Sequence, residues 1–369
     1  MERPIFQPVG TPAMELDTPA LVLDLEVMAR NIETLHSSFR GADAKIRPHV
    51  SCHQCPNVAR RQLAAGQTVG GIAVTTLGEA EVFSNSGFDD ILITNEIVTR
   101  PKIRRLCALA HDGRVAVAVD NPDNVAALSE AATAAGVTLG VLVDIDAGLG
   151  RCGVAPGAEA VSLAQSVSRA SGLEFRGLMA YEGSLLHEDR DTLIKETHAR
   201  LQPVLDTRQQ LESQGIPVAV VSVGGTHNYD IARAMSGVTE VQAGSYPLMD
   251  HNYCRYRPEF APAVKLLGSV ISHPLDFRAV VDVGHKTVGP DLGLPILEGV
   301  PGGTAARFSA EHGAIELEGD AQRKLQPKDR VWLVPFDLSM TINQFDYFRA
   351  VRGGQLEGFW PISARGRFD

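Results

Sequence analysis

The sequence predicts an α/β protein, a (β/α)8 barrel of the alternating kind followed by a second, all-β domain. Three observations predict it. Short β-branched apolar runs alternate with longer helical patterns over about two-thirds of the chain. About eight such units fit into roughly 230 residues, which suits a closed barrel better than an open doubly wound sheet. Beyond Arg257 the helical patterns give way to strand-like runs separated by Gly, Pro and Asp.

The elements follow in order. Barrel strands are expected at Ala20–Leu25, Lys45–Val50, Gly71–Thr76, Asp90–Asn95, Arg114–Asp120, Thr138–Asp146, Phe175–Tyr181, Val218–Val223 and Thr239–Ala243. Helical stretches between them include Glu26–Phe39, Leu77–Ser86, Asn121–Ala135, Ala158–Ala170 and Arg190–Gln214. In the second domain, strands are expected at Ala263–Ser272, Phe277–Val283, Thr304–Ser309, Ala314–Glu318, Arg330–Val334 and Gln355–Ile362. The barrel is placed at residues 20–257, and residues 1–19 plus 258–369 form the β-domain.

Composition narrows the function classes. The 369 residues carry 34 Lys+Arg against 44 Asp+Glu, a net charge of −10, and hold no basic run. A nucleic-acid partner is therefore not expected, since phosphate-backbone binding needs a basic face. No apolar stretch approaches the ~20 residues that span a bilayer, and the N-terminal residues lack a signal-peptide pattern. Five scattered cysteines do not make a disulfide framework. A cytoplasmic protein that handles a small-molecule substrate is expected.

In barrels the chemistry sits at the C-terminal ends of the strands, and four polar clusters lie there. The first is Arg47-Pro48-His49-Val50-Ser51-Cys52-His53-Gln54-Cys55-Pro56, in which strand alternation puts Arg47, His49 and Ser51 on one face. The second runs from Val143 to Gly153, with carboxylates at Asp144 and Asp146, a glycine turn, and Arg151 placed to meet an anionic or aromatic ligand. The third, Gly224-Gly225-Thr226, and the fourth, Gln242-Ala243-Gly244-Ser245-Tyr246, can together present backbone N–H groups and hydroxyls to a phosphate. Glu182, His227 and His251 are further acid/base candidates near strand ends. His49, Cys52, His53 and Cys55 are also donors of the types that bind zinc.

With these clusters in hand, the chain resembles the D-threonine aldolase / D-serine dehydratase family of fold-type III pyridoxal phosphate enzymes. The matching segments are Asp17-Thr18-Pro19-Ala20-Leu21-Val22-Leu23-Asp24, Arg47-Pro48-His49, Gly148-Leu149-Gly150-Arg151-Cys152-Gly153 and Ala180-Tyr181-Glu182-Gly183-Ser184. They continue through Gly224-Gly225-Thr226, Gln242-Ala243-Gly244-Ser245-Tyr246, Met249-Asp250, Asp282-Val283-Gly284-His285-Lys286-Thr287 and Ala364-Arg365-Gly366. The resemblance implies an alanine racemase-like barrel, a C-terminal β-domain and a homodimer. It also implies pyridoxal phosphate held by Arg151, Tyr181, Gly224, Gly225, Thr226, Gln242, Gly244, Ser245 and Tyr246.

The departures from the family pattern fall on its chemistry. The family reads Arg-Pro-His-Ala-Lys-Thr-His-Lys at the first cluster, and its first lysine forms the Schiff base. That position is Ser51, and a hydroxyl forms no imine. The family's late divalent-metal segment corresponds to Pro335-Phe336-Asp337-Leu338-Ser339, where Asp337 stands at the imidazole position and Ser339 at the second ligand. The family's Tyr-His-Gly is Tyr181-Glu182-Gly183. No other lysine replaces the lost one easily. Lys45 lies six residues before Ser51, roughly 20 Å along a strand at ~3.3 Å per residue, which leaves Lys286 as the better candidate.

Three readings stay open. One is a diverged lyase or isomerase of amino acids or related hydroxy or oxo acids, with His49, Ser51, His53 and Glu182 as catalytic groups and no lysine–pyridoxal phosphate link. Another is an enzyme independent of pyridoxal phosphate that uses acid/base residues or a metal held by Asp337, Cys52 and Cys55. The third is a non-catalytic protein that binds pyridoxal phosphate or another phosphate ligand.

Overall fold

The computed structural model describes residues 7–183 and 185–369. Contacts divide it into two compact units. One comprises Leu35–Ser51, Ala59–Gly244 and Gly366–Asp369; the other comprises the chain through Thr34, Cys52–Val58 and Ser245–Arg365. Strands are numbered along the chain, beginning with β1 (Ala20–Asp24).

The first unit contains β2 (Lys45–Ile46), β3 (Ile72–Val74), β4 (Asp90–Glu96), β5 (Arg114–Val119), β6 (Leu139–Ile145), β7 (Leu173–Ala180), β8 (Val220–Val223) and β9 (Glu240–Val241). They form one parallel sheet in the order β2-β9-β8-β7-β6-β5-β4-β3. Its two ends join through parallel bridges from Ile46 to Thr68 and from His49 to Ala73, which close the sheet into a barrel. The helices between strands carry local stop and start signals. Thr76 and Glu79 form a capping box on the helix Leu77–Asn85. Asn121 caps Pro122–Ala135, which ends at Gly136 in the left-handed conformation, φ 67°.

A period of two decides what fills the barrel. Ala73, Leu92, Ala116, Ala118, Leu142 and Met179 form one buried apolar cluster drawn from β3 through β7. On β4 the residues in phase with Leu92 are Asp90, Thr94 and Glu96, and on β6 Asp144 is in phase with Leu142. Below the apolar layer, the buried Arg47 guanidinium donates to both Glu240 oxygens at 2.7 Å and to Asp90 at 3.0 Å. This ion cluster ties the start of β9 and the start of β4 to β2. Arg47 and His49 thus share the inner face, as alternation predicts.

The second unit holds β1 and β10 (Val264–Leu275), β11 (Arg278–Val281), β12 (Ile296–Glu298), β13 (Gly303–Phe308), β14 (Gly313–Leu317), β15 (Arg330–Val334), β16 (Tyr347–Arg352) and β17 (Gln355–Pro361). The sheet order is β13-β14-β11-β10-β1-β16-β17, with β15 paired to β10 and β12. Here one expectation is corrected. Ala20–Asp24 forms as a strand but not as part of the barrel: it pairs antiparallel with β10 and parallel with β16. Its residues are buried on both faces, so its run of apolar residues suits a central strand of either sheet. The eight other predicted strands are the eight of the barrel. Two strands of the β-domain, Ile296–Glu298 and Tyr347–Arg352, were not expected.

Candidate active site

At the C-terminal end of the barrel the lining changes from apolar to polar. His49 Nε2 lies 3.0 Å from Thr94 Oγ1, and His49 Nδ1 lies 3.0 Å from Ser51 Oγ. Burial first, and the positive charge of Arg151 second, lower the His49 pKa to about 4. The imidazole is therefore neutral across the physiological range. The Arg151 guanidinium also stands over the Tyr181 ring at 5.5 Å, and the Tyr181 and His227 rings make a T-shaped contact.

Beside these lie Glu96, Asp120, Asp144 and Cys152, from the ends of β4, β5 and β6 and the turn beyond. Burial, then the nearby charge of Glu96, pushes the Asp144 carboxyl up to about 8, against a smaller lowering by Arg151. Glu96 is also raised, by burial and then by Asp120. Asp144 and Glu96 are hydrogen-bonded to each other. Two carboxyl groups in that contact share one proton, and Asp144 is the one that keeps it at neutral pH. Asp146 plays a different part: its Oδ1 accepts from Gly148 N and Gly150 N at 2.8 and 3.0 Å and so shapes the turn that presents Arg151.

The Gly224-Gly225-Thr226 turn is held from beneath by a buried polar network. Asn228 Oδ1 accepts from Gly225 N at 3.0 Å, and Asn228 Nδ2 donates to Glu182 Oε1. His227 Nε2 is 3.4 Å from the same Glu182 oxygen. Glu182 Oε2 is buried and accepts no hydrogen bond from the described residues. The Gly225 amide is thereby committed to Asn228, so it is not a spare donor for a phosphate. Gly224 adopts φ 71°, which favours glycine, and a Cβ on Gly244 would come within 2.7 Å of the His49 carbonyl oxygen. Backbone geometry accounts for both of these glycines. Gln242 Nε2 donates to Ser222 Oγ at 2.9 Å.

The remaining predicted residues lie in the second unit. His53 is fully buried, and its Nδ1 accepts from Cys55 N at 3.1 Å within a tight turn. Cys55 is buried too. Cys52 hydrogen-bonds with Ser245, and burial together with the carboxylates of Asp337 and Asp250 pushes its thiol well above the usual range. That is the reverse of what a reactive thiol requires. Asp337 Oδ1 caps the helix Leu338–Ile342 through Met340 N and also accepts from Ser339 Oγ. Among the described residues, no three His, Cys, Asp or Glu side chains gather in a way that would hold a metal ion. The donor set therefore does not fit the metal that the resemblance implies. Tyr246 is fully buried. His251 Nε2 contacts the Leu294 carbonyl oxygen at 3.1 Å, and Lys286 pairs with Glu311 on the exposed surface. Ser184 lies outside the described residues.

Sequence reasoning missed Thr94, Glu96, Asp120 and Asn228. The period-two register of β4 was the available signal for Thr94 and Glu96, since both are in phase with the apolar Leu92. Asn228 carried no such signal, because its role depends on Glu182 coming from another strand end.

A closed parallel barrel with its polar residues at the C-terminal strand ends, and a separate mostly antiparallel sheet, define an alanine racemase-like protein. Residues 23–251 match the family described as alanine racemase, N-terminal domain, and residues 263–351 match a serine dehydratase domain. A 3-hydroxy-D-aspartate aldolase of Paracoccus denitrificans is 36% identical, over 97% of this chain and 94% of its own length. A D-threonine aldolase of Arthrobacter is also 36% identical, over 97% and 95%. The crystal structure of D-threonine aldolase from Filomicrobium marinum superposes with a TM-score of 0.94 at 36% identity, covering 98% of this chain and 99% of that one. The chain belongs to the D-threonine aldolase / 3-hydroxy-D-aspartate aldolase family, whose named members are lyases. No helix of the described residues is long and apolar enough to cross a membrane.

Proposed function

We propose that this chain is a lyase for a β-hydroxy-α-amino acid of D configuration and that it works without a lysine-linked cofactor. The observation that carries the reading is the charge and donor set at the barrel's C-terminal end. Glu96, Asp120 and Asp144 gather there with one proton shared between two of them, and the Arg151 guanidinium acts on Asp144. An excess of negative charge there favours a ligand with an ammonium group. The relatives named for D-threonine and 3-hydroxy-D-aspartate supply the substrate class.

Pyridoxal phosphate, which the family resemblance implies, supplies an electron sink for an α-carbanion when it is bound. The residues present do not fit its covalent attachment. Ser51 stands where the resemblance puts the lysine, and a hydroxyl forms no imine. The other lysines of the barrel unit are Lys45 at the start of β2, Lys102 in the helix Arg100–Leu109 and Lys195 in the helix Arg190–Ser213. None of them ends a strand. The chain's own groups bind and move protons. The carboxyl groups receive the ammonium, Arg151 pairs with the substrate carboxylate, and Asp144 keeps a proton at neutral pH that it can hand on as a general acid. A cofactor-independent acid–base enzyme is the second reading, favoured by the proton shared between Asp144 and Glu96.

The purified protein's absorption spectrum and its reaction with D-threonine and 3-hydroxy-D-aspartate test both. Cleavage, with a pyridoxal band that borohydride does not fix to the protein, is expected. A lysine adduct found by mass spectrometry after borohydride would refute the unlinked cofactor. Cleavage by a colourless protein would favour the second reading. A protein that cleaves neither amino acid, even with pyridoxal phosphate added, would sink the lyase.

A further inference from the structure

Three side chains and one carbonyl form a hydrogen-bonded chain inside the barrel unit. Ser51 Oγ meets His49 Nδ1, His49 Nε2 meets Thr94 Oγ1, and Thr94 Oγ1 meets the Val74 carbonyl oxygen, each at 3.0 Å. The position of every proton in this chain can be worked out from its far end. A carbonyl oxygen only accepts, so the single Thr94 hydroxyl proton goes to Val74. Thr94 Oγ1 then has only lone pairs left for His49, which places the ring proton on Nε2. A neutral imidazole carries one ring proton, so Nδ1 is an acceptor and Ser51 must donate to it. Neutrality is secured by burial and by the Arg151 charge. The Ser51 proton is thus spent inward, and its remaining lone pairs are what a ligand meets.

We propose that Thr94 is a positioning residue that, through the tautomer of His49, makes Ser51 a hydrogen-bond acceptor for the ammonium or hydroxyl group of the bound ligand. A ligand carboxylate or phosphate oxygen would face those lone pairs with nothing to donate, so the same device turns an anionic group away from this point. Selection for a donor agrees with the surplus of carboxyl groups at Glu96, Asp120 and Asp144. The ligand half of the inference rests on the amino-acid reading above; the proton assignment does not.

Long-range nitrogen–proton correlation spectra of the His49 imidazole in the full-length protein at pH 7 test the assignment directly. A protonated Nε2 with a bare Nδ1 is expected, and a protonated Nδ1 would overturn it. Thr94→Val removes the acceptor facing Nε2 and should move the ring proton towards Nδ1, whereas Thr94→Ser should keep the wild-type pattern. An unchanged tautomer in Thr94→Val would overturn the role given to Thr94. Ser51→Ala changes a half-buried side chain and keeps the test alive if the Thr94 variants fail to fold. Calorimetric titration with D-threonine should show about tenfold weaker binding to Ser51→Ala than to the wild type, the usual size for one hydrogen bond to a charged group. Equal affinity would overturn the acceptor role. Failure of D-threonine to bind the wild type would overturn the substrate class and the ligand half together, while the spectrum still decides the tautomer.

Discussion

Replacing Asp144 by asparagine removes the proton that Asp144 shares with Glu96 and should change how stability depends on pH. In the folded protein the Asp144 carboxyl titrates at about 8, against 3.8 for an ordinary aspartate. Between those values the folded state holds a proton that the unfolded state has already released. Stability therefore falls as pH rises through this window, and the loss is complete above about pH 8. Each pH unit between the two values is worth about 1.4 kcal/mol. With the proton divided between two coupled groups, the loss between pH 5 and pH 9 is on the order of a few kcal/mol. Asparagine has the same shape, stays neutral and can still donate to Glu96. The Asp144→Asn variant should thus gain on the wild type steadily from pH 5 to about pH 8 and hold that lead at pH 9. Urea unfolding midpoints at pH 5, 7 and 9 measure this. Wild-type and variant midpoints that stay parallel over the range would refute the shared proton.

Two more outcomes follow from the buried networks. Arg47→Met leaves the buried Glu240 carboxylate without its guanidinium, while half-buried Asp90 keeps its pairing with Arg114, and should destabilise the barrel by about 3–5 kcal/mol. Thermal unfolding measures it, and adding Glu240→Gln should recover part of the loss; a change below about 1 kcal/mol would show that the cluster is already relaxed by water. Asn228→Ala should release the Gly225 amide and leave Glu182 Oε1 without its amide donor. Faster hydrogen exchange at Gly225, with a loss of about 1–3 kcal/mol, is the expected result, and unchanged protection of that amide would refute the network.

The alternation of apolar strands and helical stretches determined the barrel by itself, because parallel strands buried on both faces need a covering helix between each pair. Ordered motifs such as Gly148-Leu149-Gly150-Arg151 and Gly224-Gly225-Thr226 likewise marked the strand ends where polar residues gather. The inner face of β2, shared by Arg47 and His49, was legible from a period of two. The sequence did not decide which sheet Ala20–Asp24 joins, since an apolar run buried on both faces fits the centre of either one; its partners β10 and β16 come from the far end of the chain. Nor did it reveal that Gly225 spends its amide on Asn228, that Asp144 keeps a proton beside Glu96, or that Ser51 donates to His49. Each of these depends on groups brought into contact by the closed barrel and, apart from the short-range pairs, drawn from separate strand ends. Residue type supplies a hydroxyl or a carboxyl; only the closed barrel decides which way its proton points.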